Sequence, residues 1–505
     1  MSAVDTVPQR AGRPDAARSR LESIRILLRL TLLELRRSPM PLMLPLVAAL
    51  FWFDALRTGE NLPAIWTQRA AILPDHVLPD LGPVAAGMAA WVGGREQRRG
   101  IGDLAQSTAR PAWLRRLAGW GAATGWTLLA YAACTAVIYV LAARVVNWGG
   151  PPVWPVVVIG LAVAAFCTTG FVAGAVLPGR FTAPLAALGT LLVTVMIFQS
   201  AVHAASGWVL ISPDNSVPQL DWGVFHPVPP DLPIVQAVFL LGFVVVLLGV
   251  LGVFSSVRGA QLRRTASTVL AAGLAACVAC LALAATAVRG NYGFDISLLH
   301  DAASDRPIPY TPVCTQGSAI PVCVHPVFSA DLAGASAAFA PLLAEVAGLP
   351  GAPTRVMQID NADLPLPDAG PGHADFTRFD AWSTLAASPG GAPVLEFGFG
   401  DPYTFNMPGA VSNLRDQSVP LVIGHIVAPN GNPGPAQQAV ERALIQKAAG
   451  APADPNQDPS TPPPTAAVAA AAQRFAALPS AQSHAWLVAD LDQLRSGQIT
   501  LEELP

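Results

Sequence analysis

Charged side chains make up only 12% of this 505-residue chain, and lysine occurs once, at Lys447. Soluble globular chains carry about a quarter charged residues. With 52% hydrophobic residues and a mean hydropathy of +0.45, the composition predicts that much of this chain lies in lipid. The lone lysine sits in "LIQKAAG", without the glycine turns that a Walker A lysine needs to reach terminal phosphates. Binding of ATP by that route is excluded, and any ATP-driven work would have to borrow a separate ATPase. No HExxH zinc pair and no GxSxG nucleophile elbow occur. His325, and the trio His373, Asp375 and Asp380 in "PGHADFTRFD", match no metal spacing and read as structural or surface groups. "FGFGDPY" at 397–403 reads as a turn. No catalytic residue, metal site or cofactor is nominated, and nothing points to nucleic acid.

What is present is unevenly divided. Up to Ala287 there are 21 arginines against 13 acidic residues; from Val288 onward nine basic residues face 20 acidic ones. Such asymmetry indicates two parts in different surroundings. A span needs about 20 apolar residues, and seven such stretches lie near 39–56, 77–94, 119–142, 153–177, 183–206, 233–254 and 267–287. Prolines and an aspartate near the end of each interrupt the first two. Eighteen arginines fall ahead of span one and in the loops after spans two, four and six. Only Arg57, Arg69 and Arg144 fall in the alternate loops. The positive-inside rule then puts the N-terminus in the cytoplasm and everything after Ala287 outside the plasma membrane. The expected fold is an all-α polytopic membrane bundle of about seven transmembrane helices, followed by an α+β extracytoplasmic domain.

Residues 1–20 read as a disordered basic tail without the apolar core of a signal peptide. Residues 21–37 read as an amphipathic helix lying in the cytoplasmic interface, and 38–287 as the transmembrane domain. The 207–232 loop is acidic and Pro-rich; its Trp208, Trp222 and Phe225 suit a segment half-sunk at the membrane surface, with His226 as a surface residue. Within the exterior domain, 288–448, helices are expected at 329–347, with Ser329 as cap, and at 435–448; strands are expected at 354–359, 394–398 and 419–427. A Pro-rich linker at 449–464 leads to a helical segment at 465–505. Cys134, Cys167, Cys277 and Cys280 fall inside spans as small apolar groups. Cys314 and Cys323 flank a short exterior loop, "CTQGSAIPVC", where a disulfide is plausible in an oxidising compartment. In span five, Gln199 and His203 share a face at i, i+4, and polar groups in lipid tend to line a pathway or an interface.

The loop after span two goes beyond charge. It reads "REQRRGIGDLAQSTARPAWLRRL", with Glu96, Arg99, Gly100, Asp103, Leu104, Pro111 and Leu114 in order. Gly100 allows a sharp turn, Asp103 suits the start of a short helix, Leu104 offers an apolar anchor, and Pro111 ends one helix and starts the next. This order, after a second span and behind an amphipathic helix, resembles the type-2 ABC transporter permease family over residues 21–254. The resemblance implies an exporter subunit whose helix around 101–107 couples to a separate ABC ATPase, paired with a second copy or a homologous permease in the lipid. The seventh span and the 218-residue exterior region lie outside it. "VCVHPVF" and "LRSGQITLEELP" resemble the exterior tails of some actinobacterial permease-like proteins, which brings no chemistry. Two other classes stay open: a membrane-anchored exterior binding or enzymatic domain, and a non-transporting membrane sensor.

Overall fold

The computed structural model describes residues 16–57, 64–100, 112–203, 224–255, 260–286, 288–290, 293–296, 298–303, 305–360, 382–387, 393–398, 410–449 and 464–505. The chain is mostly helical, with a small sheet confined to its C-terminal part. The first helix, α1, runs Ala16–Arg37. It breaks at Ser38-Pro39, where proline removes a backbone donor, and Ile24–Arg37 meets Met40–Leu56 at 44°. That second stretch is a 3₁₀ turn (Met40–Met43), α2 (Leu44–Phe51) and a π turn (Trp52–Leu56). The chain then forms α3 (Trp66–Ile72), a second π turn (Leu73–Val77), α4 (Leu78–Gly93) and the short α5 (Arg95–Arg98). Four longer helices and a fifth that completes the bundle follow: α6 (Ala112–Val145), α7 (Val153–Val176), α8 (Thr182–His203), α9 (Asp231–Ser255) and α10 (Ala260–Ala285).

Among the described residues, five helices are long and apolar enough to cross a membrane, or six if the bent pair is one span. That is compatible with a multi-pass membrane protein, but it stops short of the seven spans expected. In the second apolar stretch α4 has 16 residues and carries Asp80; α8 is apolar over Thr182–Met196, the side chains beyond Met196 lying outside the described residues. One of the five, Pro326–Val346, meets the length and apolarity test yet packs in the C-terminal core.

The bundle is held by close backbone approach. On α7, Gly170 and Gly174 face α4, and a Cβ at either would collide with the carbonyl oxygen of Ala86 or Ala90. Gly93 of α4 meets the Phe171 carbonyl in the same way. Small residues four apart let two helices touch along their main chains, gaining dispersion where no hydrophobic force acts between them. A second such contact joins α9 and α10, with Gly242 against Gly273 and Gly249 against Leu270.

Beyond α10 the strands are β1 (Val288–Gly290), β2 (Gly293–Asp295), β3 (Val313–Cys314), β4 (Val322–Val324), β5 (Val356–Gln358), β6 (Trp382–Ala387) and β7 (Pro393–Gly398). The first two pair as a ribbon; the rest form one sheet in the order β3-β4-β5-β7-β6. Cys314 and Cys323 stand directly opposite each other in the β3–β4 register and form a disulfide. Five helices cover the sheet region: α11 (Leu332–Val346), α12 (Ala410–Val427), α13 (Pro435–Ala449), α14 (Ala466–Ala477) and α15 (Ser480–Arg495). The expected strand at 419–427 is instead the second half of α12. Its Val419, Val422, Ile423, Ile426 and Val427 are all fully buried, and a β-branched run buried on all sides reads alike for strand and helix. Ser329 does not cap α11, because a 3₁₀ turn at Pro326–Asp331 comes first and the cap position passes to Asp331.

The C-terminal helices share the domain's core through Phe475, Leu487, Leu491 and Leu494. Lys447 seals the contact, donating from Nζ to the Leu478 carbonyl at 2.8 Å and the Ser483 hydroxyl at 2.7 Å. Burial lowers its affinity for the proton, against the pull of Glu345. Arg495 donates to the carbonyls of Ile426 and Pro350, both at 2.7 Å.

If the α4–α7 seam carries the bundle, Gly174→Val should cost about 3 kcal/mol or more, by overpacking against a carbonyl. Gly189→Ala, where a Cβ meets open space, should cost nothing. Thermal unfolding of the full chain in detergent compares the two, and equal midpoints for both variants would refute the seam.

Candidate functional site at the two ends of the bundle

The two ends of the bundle differ in chemistry. At one end α4 stops at Gly94, and the short α5 continues it beside α1 and α6. Arg95 Nη2 pairs with Glu34 Oε2 of α1 at 2.9 Å, and Glu96 Oε1 lies 3.6 Å from Arg115 Nε of α6. Arg116 donates to Ser255 Oγ at the end of α9 at 2.9 Å, and Trp126 Nε1 donates to the Leu35 carbonyl at 2.9 Å. The 95–98 turn thus ties α4 to α1 and α6, and α6 in turn reaches α9 through Arg116. Gly100 has φ +64°, a left-handed turn that glycine adopts without strain. Arg99 is exposed and Leu114 is half-buried in the first turn of α6. Asp103, Leu104 and Pro111 lie outside the described residues. Of the coupling residues expected from sequence, the structure thus brings Glu96 to α6 and puts Gly100 at a turn.

At the opposite end the segments ahead of α3, α7 and α9 meet the C-terminal domain. Ile65 bridges to Trp148, and Trp148 Nε1 donates to the Val224 carbonyl at 3.1 Å. The Phe225 carbonyl accepts from Ile308 N at 2.6 Å. His325, fully buried, sits at the centre. Its ring centroid lies 4.5 Å from Trp148, 5.1 Å from Phe225 and 4.3 Å from Tyr310. Its backbone N–H donates to Gln358 Oε1 at 3.0 Å, and Nδ1 accepts from Val327 N at 3.2 Å. With Nδ1 accepting, the neutral ring carries its proton on Nε2. Among the described residues that atom has no nitrogen or oxygen partner, and the groups around it are aromatic rings. Burial lowers the His325 pKa to about 4. Nearby, His226 Nε2 and Asp360 Oδ2 are 3.8 Å apart and both buried.

The loop reading is corrected here. His226 is enclosed, with 3% of its surface exposed, and Phe225 packs against Tyr310 and His325. Trp208 and Trp222 lie outside the described residues. The junction was hidden from sequence because its members are up to about 300 positions apart. The only local signal was the clustering of aromatics in alternate loops.

Between the ends, Asp54 and His76 pair at 2.8 Å, each on one of the two π turns. Such turns widen a helix and frequently mark functional positions. The backbone of Gln199 and His203 belongs to α8, but their side chains fall outside the described residues. No group of three His, Cys, Asp or Glu able to hold a metal occurs among the described residues.

Comparison with protein-family models, with curated proteins and with solved structures finds no match for this chain. The permease resemblance therefore rests on the residue order of the 96–114 segment and its position after the second apolar stretch.

His325 generates a pH dependence of defined sign. Its folded value lies below the unfolded one, about 6.5, so the unfolded chain takes up the proton first on acidification. The stability involved is intact above about pH 6.5 and declines toward pH 4, by up to about 3 kcal/mol. Unfolding of wild type and His325→Leu at pH 7 and pH 4.5 isolates it. The variant should be less stable at pH 7 but lose less on acidification; equal losses would show that His325 is not the group responsible.

Proposed function

We propose that this chain is the transmembrane permease subunit of an ATP-driven ABC exporter, with seven spans in the plasma membrane. In this reading the N-terminus and the arginine-rich end face the cytoplasm, and the domain after α10 lies outside. The separation of the two ends supports it: arginine loops gather at one, and the alternate loops meet the C-terminal domain at the other, as positive-inside insertion requires. The observation that carries the coupling assignment is the anchorage of the 95–100 segment. It continues α4, and the Arg95–Glu34 and Glu96–Arg115 pairs tie it to α1 and α6.

A partner ATPase docking on 96–107 would thus move three helices at once. Hydrolysis in that partner shifts the bundle between two arrangements, provided the docked contact favours one over the other. A second copy or a homologous permease completes the path. The exterior domain moves with the outer ends of the helices, because Trp148 and Phe225 are packed around His325.

Affinity purification of the full chain from native membranes should recover an ATPase. Gly100→Pro or Leu104→Asp should abolish that recovery, whereas Arg144→Gln, at the other end of α6, should not. An intact complex and undiminished transport in both loop variants would reject the coupling segment.

A further inference from the structure

Near the arginine end, α2, α4 and α8 enclose an open apolar groove of about 550 Å³. Its walls include Leu42, Leu46, Val84, Met88, Trp91 and Pro184. The volume lies within the range of small-ligand sites. Polarity enters only at one rim. The Arg98 guanidinium stacks 5.4 Å from the Trp91 ring centroid and donates to the Trp91 carbonyl. On the α8 side Arg180 precedes the lining residues Ala183 and Pro184 by one turn and stacks 5.9 Å from the Phe181 ring. Both arginines are exposed. Among the described residues neither meets a carboxylate, although their neighbours Arg95 and Arg115 do.

From this juxtaposition we infer that the groove is a binding site for an anionic phospholipid of the cytoplasmic leaflet. An acyl chain lies along Leu42, Leu46, Met88 and Pro184, and the headgroup phosphate is held between Arg98 and Arg180. The shape of the site selects an amphiphile: apolar along its length, with one arginine stacked on its wall residue Trp91 and another three residues ahead of its wall residue Ala183, neither meeting a carboxylate among the described residues. Basic pockets between helices on the cytoplasmic side are suited to anionic headgroups. A second copy fits less well, since a two-fold contact presents the same patch from both sides and would set these arginines against their own counterparts. The inference rests on the membrane reading and orientation above, but not on the ATPase.

Full-length protein, reconstituted and released into native mass spectrometry, should retain phosphatidylglycerol over phosphatidylcholine. Arg98→Gln with Arg180→Gln should lower that preference about tenfold. Arg36→Gln with Arg37→Gln, equally exposed at the same end, should change it less than about twofold. Leu46→Trp with Met88→Trp, which fills the groove and keeps every charge, should also reduce retention. Equal retention of the two lipids, or equal loss in both arginine pairs, overturns the site. A disulfide between copies through Leu46→Cys in the membrane would assign the groove to a second chain instead. Failure of the protein to float with pure phosphatidylcholine vesicles would overturn the membrane reading itself, a result separable from the others.

Discussion

Helices that pack in lipid would gain little by hiding greasy side chains from one another, because their surroundings would be equally greasy. What holds them is how near their main chains can come. At Gly170 and Gly174 the α7 backbone touches the carbonyls of Ala86 and Ala90, and Gly93 answers from α4. This contact fixes the depth and rotation of α4, and both ends of the molecule depend on it. One end of the α3–α4 run begins at Ile65, inside the junction with the C-terminal domain. The other end delivers Arg95 and Glu96 to their partners on α1 and α6. A shift of one turn along the seam, about 5.4 Å, would break both sets of contacts together.

The two ends are held by different physics. Ion pairs at half-exposed positions fasten the arginine end, and such pairs contribute roughly 1 kcal/mol or less each. They are suited to a surface that must rearrange. The junction is buried, aromatic and built around a neutral histidine. An N–H donor enclosed by rings is satisfied more weakly than by oxygen, yet it tolerates small rotations that a linear hydrogen bond would not. The two ends of the bundle are thus fastened by different kinds of contact, ion pairs at one and packed aromatic rings at the other.

Much of the helical layout was legible because long apolar stretches have few alternatives. The disulfide was legible from two cysteines bracketing a glycine- and proline-containing loop. The strands at 356–358 and 393–398 carried short β-rich runs between breakers. Sequence failed where both secondary structures share a signature, as in the Val- and Ile-rich half of α12. It also failed where partners are remote: nothing near His226 points to Asp360, and nothing near Trp148 points to His325. The π turns at Trp52–Leu56 and Leu73–Val77 leave no trace in apolar periodicity. In the candidate coupling segment, Gly100 was readable from its residue type, whereas the pairing of Glu96 with Arg115 follows only from how α5 packs beside α6. The seam falls in "GFVAG" and "AAGMAA", small residues four apart whose meaning appears only once α7 is seen against α4.

The solitary lysine acquires a use of its own. Because Lys447 is the only ε-amine in the chain, amine-directed chemistry has one side-chain target, already engaged with Leu478 and Ser483. Acylation there requires α14 and α15 to loosen from α13 first. The rate of that single modification is therefore a clock for the breathing of the C-terminal domain, supplied by the native sequence without any introduced label.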